Sequence, residues 1–134
     1  MFLIQFDACN RETIGIASIG FVLYYDSVTM YKHSSLICDH VPDSNYAEYK
    51  ALIEALKFAL KFDIKDLQIE GDAKIVLLQI NDKCNVKSDS IKPLLYEAKE
   101  LVKNFKNINF EHIYRKRNIV ADSLANKALY NYMK

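Results

Sequence analysis

The segment SNYAEYKALIEALKFALKF, residues 44 to 62, predicts an amphipathic helix that divides the chain into two differently patterned parts. At about 100° per residue, four apolar side chains of this helix lie within roughly 40° of Glu48: Leu52, Ala55, Ala59 and Phe62. Glu48 therefore lies in the middle of the apolar stripe, while the lysines fall on the far side. Because burying an unpartnered carboxylate costs several kcal/mol, we expect Glu48 to be neutralised, ligated or hydrogen-bonded.

A helix cap offers a purely structural explanation for the same acid. Asn45 stands three residues before Glu48, which is the spacing of a variant capping box. In that arrangement the Glu side chain reaches back to the backbone amide of the capping residue. This segment alone favours the cap, and only convergence of further carboxylates would favour a ligand role.

The chain before this helix predicts three antiparallel strands. Residues 2 to 7 are apolar at nearly every position, which is typical of a central strand covered on both faces. Residues 14 to 25 and 28 to 38 are rich in β-branched and aromatic side chains and are separated by a two-residue turn. Pro42 and the polar residues after it end this sheet region and begin the helix.

The chain after the helix alternates between strands and helices. The pattern predicts a strand at residues 67 to 70, helices at 73 to 81 and 91 to 105, a strand at 109 to 114, and a last helix capped by Asn118. The resulting fold class is α/β. Right-handed connections predict a mixed five-stranded sheet of order 3-2-1-4-5, with three antiparallel strands, then parallel strands, and helices on both faces. We expect residues 1 to 134 to form a single domain.

Composition narrows the functional class. The net charge of +1 lacks the strongly basic character of many nucleic-acid-binding proteins, so local clusters or metal ions must attract any polyanion. Cys9, Cys38 and Cys84 show no zinc-binding spacing and are expected to be reduced, mostly buried thiols. The first residues lack the basic segment of a signal peptide, and no stretch reaches membrane-spanning length, which predicts a cytoplasmic protein.

Four acids fall near the predicted ends of these elements. Asp7 ends the first strand, Asp72 follows the fourth, and Glu48 and Asp122 lie in first turns of helices. Each has a structural explanation as a turn former, helix cap, capping-box member or helix-dipole partner. Ligands, however, gather beyond the carboxyl ends of parallel strands, and clustered acids would repel one another unless cations neutralised them. Oxygen ligands alone predict Mg²⁺ or Mn²⁺, and a pair of such ions can hydrolyse a phosphodiester.

Four stretches carry a resemblance to a known family: FDAC, SNYAEYKALIEAL, EGDAKIVLLQI and EHIYRKRNIVADSLANKAL. In this order, over essentially the whole chain, they resemble the type 1 ribonuclease H family, and most closely its short archaeal and plant-like branch. The resemblance implies an endonuclease that cuts the RNA strand of RNA/DNA hybrids and leaves 3′-hydroxyl and 5′-phosphate ends. It implies two Mg²⁺ or Mn²⁺ ions, with Asp7 bridging both, Glu48 and Asp72 completing one site and Asp122 the other. No membrane and no small-molecule cofactor are implied.

The resemblance also implies contacts to nucleic acid. They fall on the segment after Asp7, beside Glu48, and in the basic group before the last helix: Ala8, Cys9, Asn10, Asn45, Arg115, Arg117 and Asn118. Asn45 has a second explanation as the helix cap, and the basic group has one as a solvated turn.

The chain departs from the family pattern after the first acid. Ala8 stands where relatives usually have Gly, and Ala73 replaces a common Ser. No histidine lies between Tyr114 and Asp122, and His112 is expected to be a structural strand residue. These departures keep alternatives open: a related nuclease acting on double-stranded RNA, RNA/DNA junctions or DNA, a non-catalytic hybrid-binding domain, or an ordinary α/β domain with helix-capping acids.

Overall fold

The computed structural model describes residues 1–37 and 40–134, so the predicted strand end at Cys38 and its predicted thiol lie outside the described residues. The elements are β1 (Phe2–Arg11), β2 (Ile16–Tyr25), β3 (Val28–Ile37), α1 (Ser44–Lys61), β4 (Asp66–Gly71), α2 (Lys74–Ile80), α3 (Lys92–Val102), β5 (Asn107–His112) and α4 (Ile119–Met133). Short 3₁₀ turns occupy Glu12–Ile14 and Arg115–Arg117. The predicted order of strands and helices is confirmed.

The sheet has the predicted topology, with strand order β3-β2-β1-β4-β5. β2 pairs antiparallel with β1 and with β3, whereas β4 pairs parallel with β1 and with β5. Ile19 and Phe21 of β2 join α1 in the main core. Ser18 faces the other side of the sheet, where it donates to the Ala125 backbone oxygen of α4. Helices therefore cover both faces, as the sequence predicts.

The end of β1 differs from the prediction. The strand was expected to stop at Asp7, but it continues to Arg11, because residues 8 to 11 pair with β2 from Ala8↔Ile19 to Arg11↔Ile16. The parallel pairing with β4 ends earlier, at Phe6↔Gly71. Asp7 is thus the first residue beyond the parallel ladder, inside a strand that is held on one side only.

The start of α1 also corrects a prediction. The N-cap is Asp43, whose side-chain oxygen accepts from the Tyr46 amide at 2.9 Å, and Asn45 lies inside the helix. The predicted Asn45 cap and its capping box are therefore wrong. Phe62, predicted to lie on the buried stripe, is 60% exposed, because the helix ends before it and its ring packs against Phe58 instead.

Smaller differences concern element bounds. α3 ends at Val102, and β5 spans Asn107–His112, two residues before the predicted strand, because its pairing with β4 begins at Asp66↔Asn107. Cys9 and Cys84 are free thiols, as predicted, but each is only partly buried, because both lie on segments that border solvent. Within residues 1–37 and 40–134, none of the helices combines the length and the apolar composition needed to cross a bilayer.

Candidate active site

Three carboxylates meet where β1 passes the end of β4. Asp7 from β1, Glu48 from the second turn of α1, and Asp72 directly after β4 each place one oxygen within 4.8 Å of the others. The cleft around them has a volume of about 360 Å³ and is open to solvent. Its lining residues are Asp7, Ala8, Cys9, Asn10, Glu48, Asp72, Ala73, Arg115, Asp122 and Asn126. The four acids therefore line one cleft, as the sequence predicts.

Glu48 is the most constrained member of the cluster. Its Oε1 atom is buried and has no hydrogen-bond partner among the described residues. Burial, followed by the charge of Asp7, raises the pKa of Glu48 well above its ordinary value. Burying a bare carboxylate charge is costly, so this side chain is accommodated either by a proton, as its raised pKa indicates, or by a bound cation.

Asp7 shares this unfavourable environment. Burial and then the Asp72 charge raise the pKa of Asp7 to about 7, although the Ala8 amide opposes the shift by donating to Asp7 Oδ1 at 2.8 Å. Burial also raises the pKa of Asp72, while hydrogen bonding with Asp7 lowers it. Near neutral pH, the protein alone therefore retains protons in this cluster.

The donor set fits a hard divalent cation. All candidate ligands are carboxylate oxygens, which Mg²⁺ and Mn²⁺ prefer, and the orphaned Glu48 oxygen would gain the partner it lacks. The residues that could hold an ion are Asp7, Glu48 and Asp72, and Asp122 lines the same cleft beside Asp7.

Asp122 borders the compact group of three acids. It does not belong to that group and its side chain is 32% exposed, but its carboxyl interacts with Asp7 and contributes to the raised pKa of Asp7. Its Oδ1 lies 3.9 Å from Arg115 Nη2 and accepts a hydrogen bond from Asn126 Nδ2 at 3.2 Å. Protein cations and amides thus contact this carboxylate, in contrast to Glu48.

The predicted nucleic-acid residues divide into those that line the cleft, those that do not, and Asn118, which is buried. Ala8, Cys9, Asn10 and Arg115 line the cleft. Both side-chain polar atoms of Asn10 are buried without a hydrogen-bond partner among the described residues. Asn45 is half-buried and Arg117 exposed, and neither lines the cleft.

Asn118 corrects a prediction. Its side chain is fully buried, its Nδ2 donates to the Phe6 backbone oxygen at 2.9 Å, and it makes no side-chain cap to α4. Asn118 occupies the predicted N-cap position, but only its backbone takes part in the cap. Its Nδ2 is engaged inside the protein and its buried Oδ1 has no partner among the described residues, so the predicted nucleic-acid contact would require this buried side chain to become exposed.

Asn126 is the residue that sequence reasoning missed. It lines the cleft and contacts Asp122, one helical turn before it. The spacing of four residues from a candidate ligand on the same helix was the available signal, because residues at that distance share a helix face.

Comparison with known proteins gives concordant matches. A family model described as reverse transcriptase-like matches residues 5–128. A bifunctional protein of Mycobacterium tuberculosis is 32% identical over 128 residues. The aligned region covers 95% of this chain but only 35% of that protein. Ribonuclease HI of Halobacterium salinarum is 31% identical over 124 residues, which cover 92% of this chain and 62% of the relative. The chain thus spans between a third and two thirds of these relatives.

Solved structures agree with the sequence matches. The crystal structure of the Halobacterium salinarum RNase H1 superposes with a TM-score of 0.91 at 30% identity, covering 97% of this chain and 98% of the other. LC11-RNase H1, crystallised in complex with an RNA/DNA hybrid, gives a TM-score of 0.91 at 26% identity over the whole of both chains.

Proposed function

Because the chain belongs to the type 1 ribonuclease H family, we propose that it is an endonuclease that hydrolyses the RNA strand of RNA/DNA hybrids with two divalent ions. The observation that carries the proposal is the cluster of Asp7, Glu48 and Asp72, whose oxygens lie within 4.8 Å of one another. The buried, unpartnered oxygen of Glu48 supports it, since an acid that served only as a helix cap would be hydrogen-bonded to the helix.

The residues around the cleft have distinct roles in this proposal. Asp7, Glu48 and Asp72 would hold one ion, and Asp7 with Asp122 would hold the other. When bound, Mg²⁺ or Mn²⁺ would lower the pKa of an attacking water and stabilise the charge on the leaving oxygen, and hydrolysis in this sense gives a 5′-phosphate and a 3′-hydroxyl. The rigid sheet and the buried face of α1 fix the first three carboxylates before the substrate arrives, which lowers the cost of ordering them.

Substrate contacts follow from what the cleft exposes. Arg115 lies at its edge beside Asp122, where a guanidinium can bind a phosphate of the nucleic acid. Asn10 also lines the cleft, but both polar atoms of its amide are buried without partners among the described residues, so it would reach a sugar hydroxyl or phosphate oxygen only after its side chain turns outward. A hybrid is favoured over other nucleic acids because LC11-RNase H1 binds one with the same fold.

A cleavage assay tests the proposal directly. Labelled RNA/DNA hybrid, duplex RNA and duplex DNA are each incubated with the protein and Mg²⁺ or Mn²⁺, with EDTA as the control. We expect metal-dependent cleavage of the RNA strand of the hybrid. Cleavage of another duplex in preference to the hybrid would show that the hybrid is not the preferred substrate. Binding of the hybrid without cleavage would indicate a non-catalytic hybrid-binding domain.

A matched pair of variants tests the site. Asp72→Asn removes a proposed ligand, and we expect it to fold normally but to lose cleavage. Asp66→Asn makes the same change at the exposed opposite end of β4, where the acid only accepts from Asn107. Wild-type cleavage by Asp72→Asn would contradict the metal assignment.

A further inference from the structure

We propose that Asn126 is a positioning residue for Asp122, and that the Cys9 thiol anchors the oxygen end of the Asn126 amide to β1. This inference deepens the nuclease function proposed above and rests on it. It assigns a purpose to a contact between β1 and α4 that lies in the cleft beside the acids.

The Asn126 amide contacts Asp122 twice. Its Nδ2 donates to the Asp122 backbone oxygen at 2.9 Å and to the carboxylate Oδ1 at 3.2 Å. The backbone bond anchors the amide to the helix, and the second bond then holds the carboxylate relative to that anchor. Because Asp122 is partly exposed, its side chain would otherwise lose more rotational freedom when it binds an ion.

Cys9 holds the other end of the amide. The backbone oxygen and the carboxylate of Asp122 only accept hydrogen bonds, so the Nδ2 side of the amide must face them and Oδ1 must face β1. The Cys9 Sγ lies 3.2 Å from Asn126 Oδ1 and donates to it, which gives this outward oxygen a partner. Cys9 lies two residues after Asp7 in β1, and the contact therefore links the strand of one acid to the side chain of another.

The backbone of α4 has other supports. Ser18 donates to the Ala125 oxygen and Ser34 donates to the Leu124 oxygen, which attaches the helix to β2 and β3. Loss of the Asn126 amide should therefore leave the helix in place and act on the Asp122 side chain. This separates a positioning role from a purely structural one.

The first measurement is Mn²⁺ affinity, by calorimetry without substrate and by the Mn²⁺ dependence of hybrid cleavage. We expect Asn126→Ala to weaken Mn²⁺ binding roughly tenfold, the size of effect typical for residues that orient metal ligands. Asn131→Ala is the matched control, since it makes the same change at an exposed position of the same helix. Unchanged Mn²⁺ affinity in Asn126→Ala would overturn the proposal, as would an equal loss in Asn131→Ala.

The second measurement needs neither metal nor activity. Alkylation of Cys9 by iodoacetamide is followed by peptide mass spectrometry in metal-free protein. Asn126→Ala removes the acceptor of the thiol and should accelerate alkylation roughly threefold, the size expected for one hydrogen bond. Asn126→Asp keeps an acceptor for Cys9 but removes the donor to Asp122, so it should weaken Mn²⁺ binding without accelerating alkylation.

The two proposals fail separately. Absence of cleavage by the wild-type protein would overturn the nuclease function, while calorimetry and alkylation would still report on Asn126. Equal alkylation rates in the wild type and Asn126→Ala would overturn the Cys9 contact. Cleavage by the wild type together with normal Mn²⁺ binding by Asn126→Asp would overturn only the positioning of Asp122.

Discussion

The Asn118 side chain donates to the backbone oxygen of Phe6 at 2.9 Å, and this buried bond ties the start of α4 to the residue before Asp7. The Asn118 backbone oxygen in turn accepts from the Asp122 amide at 3.1 Å, in the first turn of the helix. One residue therefore fixes the backbone spacing between two acids that are distant in sequence. The site depends on this bond although Asn118 touches neither carboxylate in any hydrogen bond of the described residues.

Asn118→Ala should destabilise the protein by about 1–3 kcal/mol, because the Phe6 carbonyl loses a buried donor. Urea unfolding, monitored by circular dichroism, measures the change. Asn109→Ala is a suitable control, since that side chain donates on an exposed part of the sheet. A loss for Asn118→Ala no larger than for the control would contradict this role.

The stability of the metal-free protein should fall as the pH rises. Burial and Asp72 raise the pKa of Asp7 from 3.8 to about 7. The folded protein therefore holds the Asp7 proton more tightly than the unfolded chain does, and this stabilisation is complete below pH 3.8 and is lost as the pH rises through about 7. We expect the free energy of unfolding in EDTA to be lower at pH 8 than at pH 5, by on the order of 2–4 kcal/mol. Asp7→Asn should flatten this dependence, and a stability that rises towards pH 8 would refute the explanation.

Glu48→Gln should stabilise the metal-free protein while abolishing metal-dependent cleavage. The substitution removes a buried charge that burial and Asp7 disfavour, and we expect a gain of about 1–2 kcal/mol at pH 8. Thermal unfolding in EDTA measures it. Glu54→Gln on the exposed face of α1 should change stability by less than about 0.5 kcal/mol. A destabilised Glu48→Gln would show that this carboxylate is held by hydrogen bonds to the protein.

The sequence predicts the topology and the four acids of the cleft because strand and helix patterns and acids at unusual positions are visible locally. β-branched runs, turns and a carboxylate in an apolar stripe are visible without knowledge of the packing. Glu48 illustrates the point: its position on the helix face made it anomalous, and the structure leaves its Oε1 without a hydrogen-bond partner among the described residues.

Features that depend on distant partners could not be predicted in the same way. The first strand was predicted to end at Asp7, but β2 is long enough to keep residues 8 to 11 in the sheet. Asn118 looks like a helix cap until the fold brings Phe6 against it, 112 residues away in sequence. The contact of Asn126 with Cys9 spans 117 residues, so an exposed helix amide gave little indication of its role.

Asp43 and Asn45 should have separable effects. Asp43→Ala removes the side-chain acceptor of the Tyr46 amide and should cost about 1 kcal/mol of stability. Asn45→Ala lies inside α1 and should change stability by less than about 0.5 kcal/mol. If Asn45 contacts nucleic acid, its substitution should instead weaken hybrid binding, measured by fluorescence anisotropy. Equal destabilisation by the two variants would argue for a shared capping role.

Gly20→Ala should displace α4 and, with it, Asp122. A Cβ atom at Gly20 would lie 2.4 Å from the Ala125 amide nitrogen and 2.8 Å from the Ala121 oxygen, which are helix backbone atoms that cannot rotate away. We expect a cost of about 1–3 kcal/mol from overpacking and weaker Mn²⁺ activation, because the helix must move as a unit. Gly15→Ala adds the same methyl group into open space, so its cost of about 1 kcal/mol reflects only its positive φ. Urea unfolding and the Mn²⁺ dependence of cleavage distinguish the two variants. Normal Mn²⁺ activation of Gly20→Ala would show that Asp122 tolerates a displaced helix.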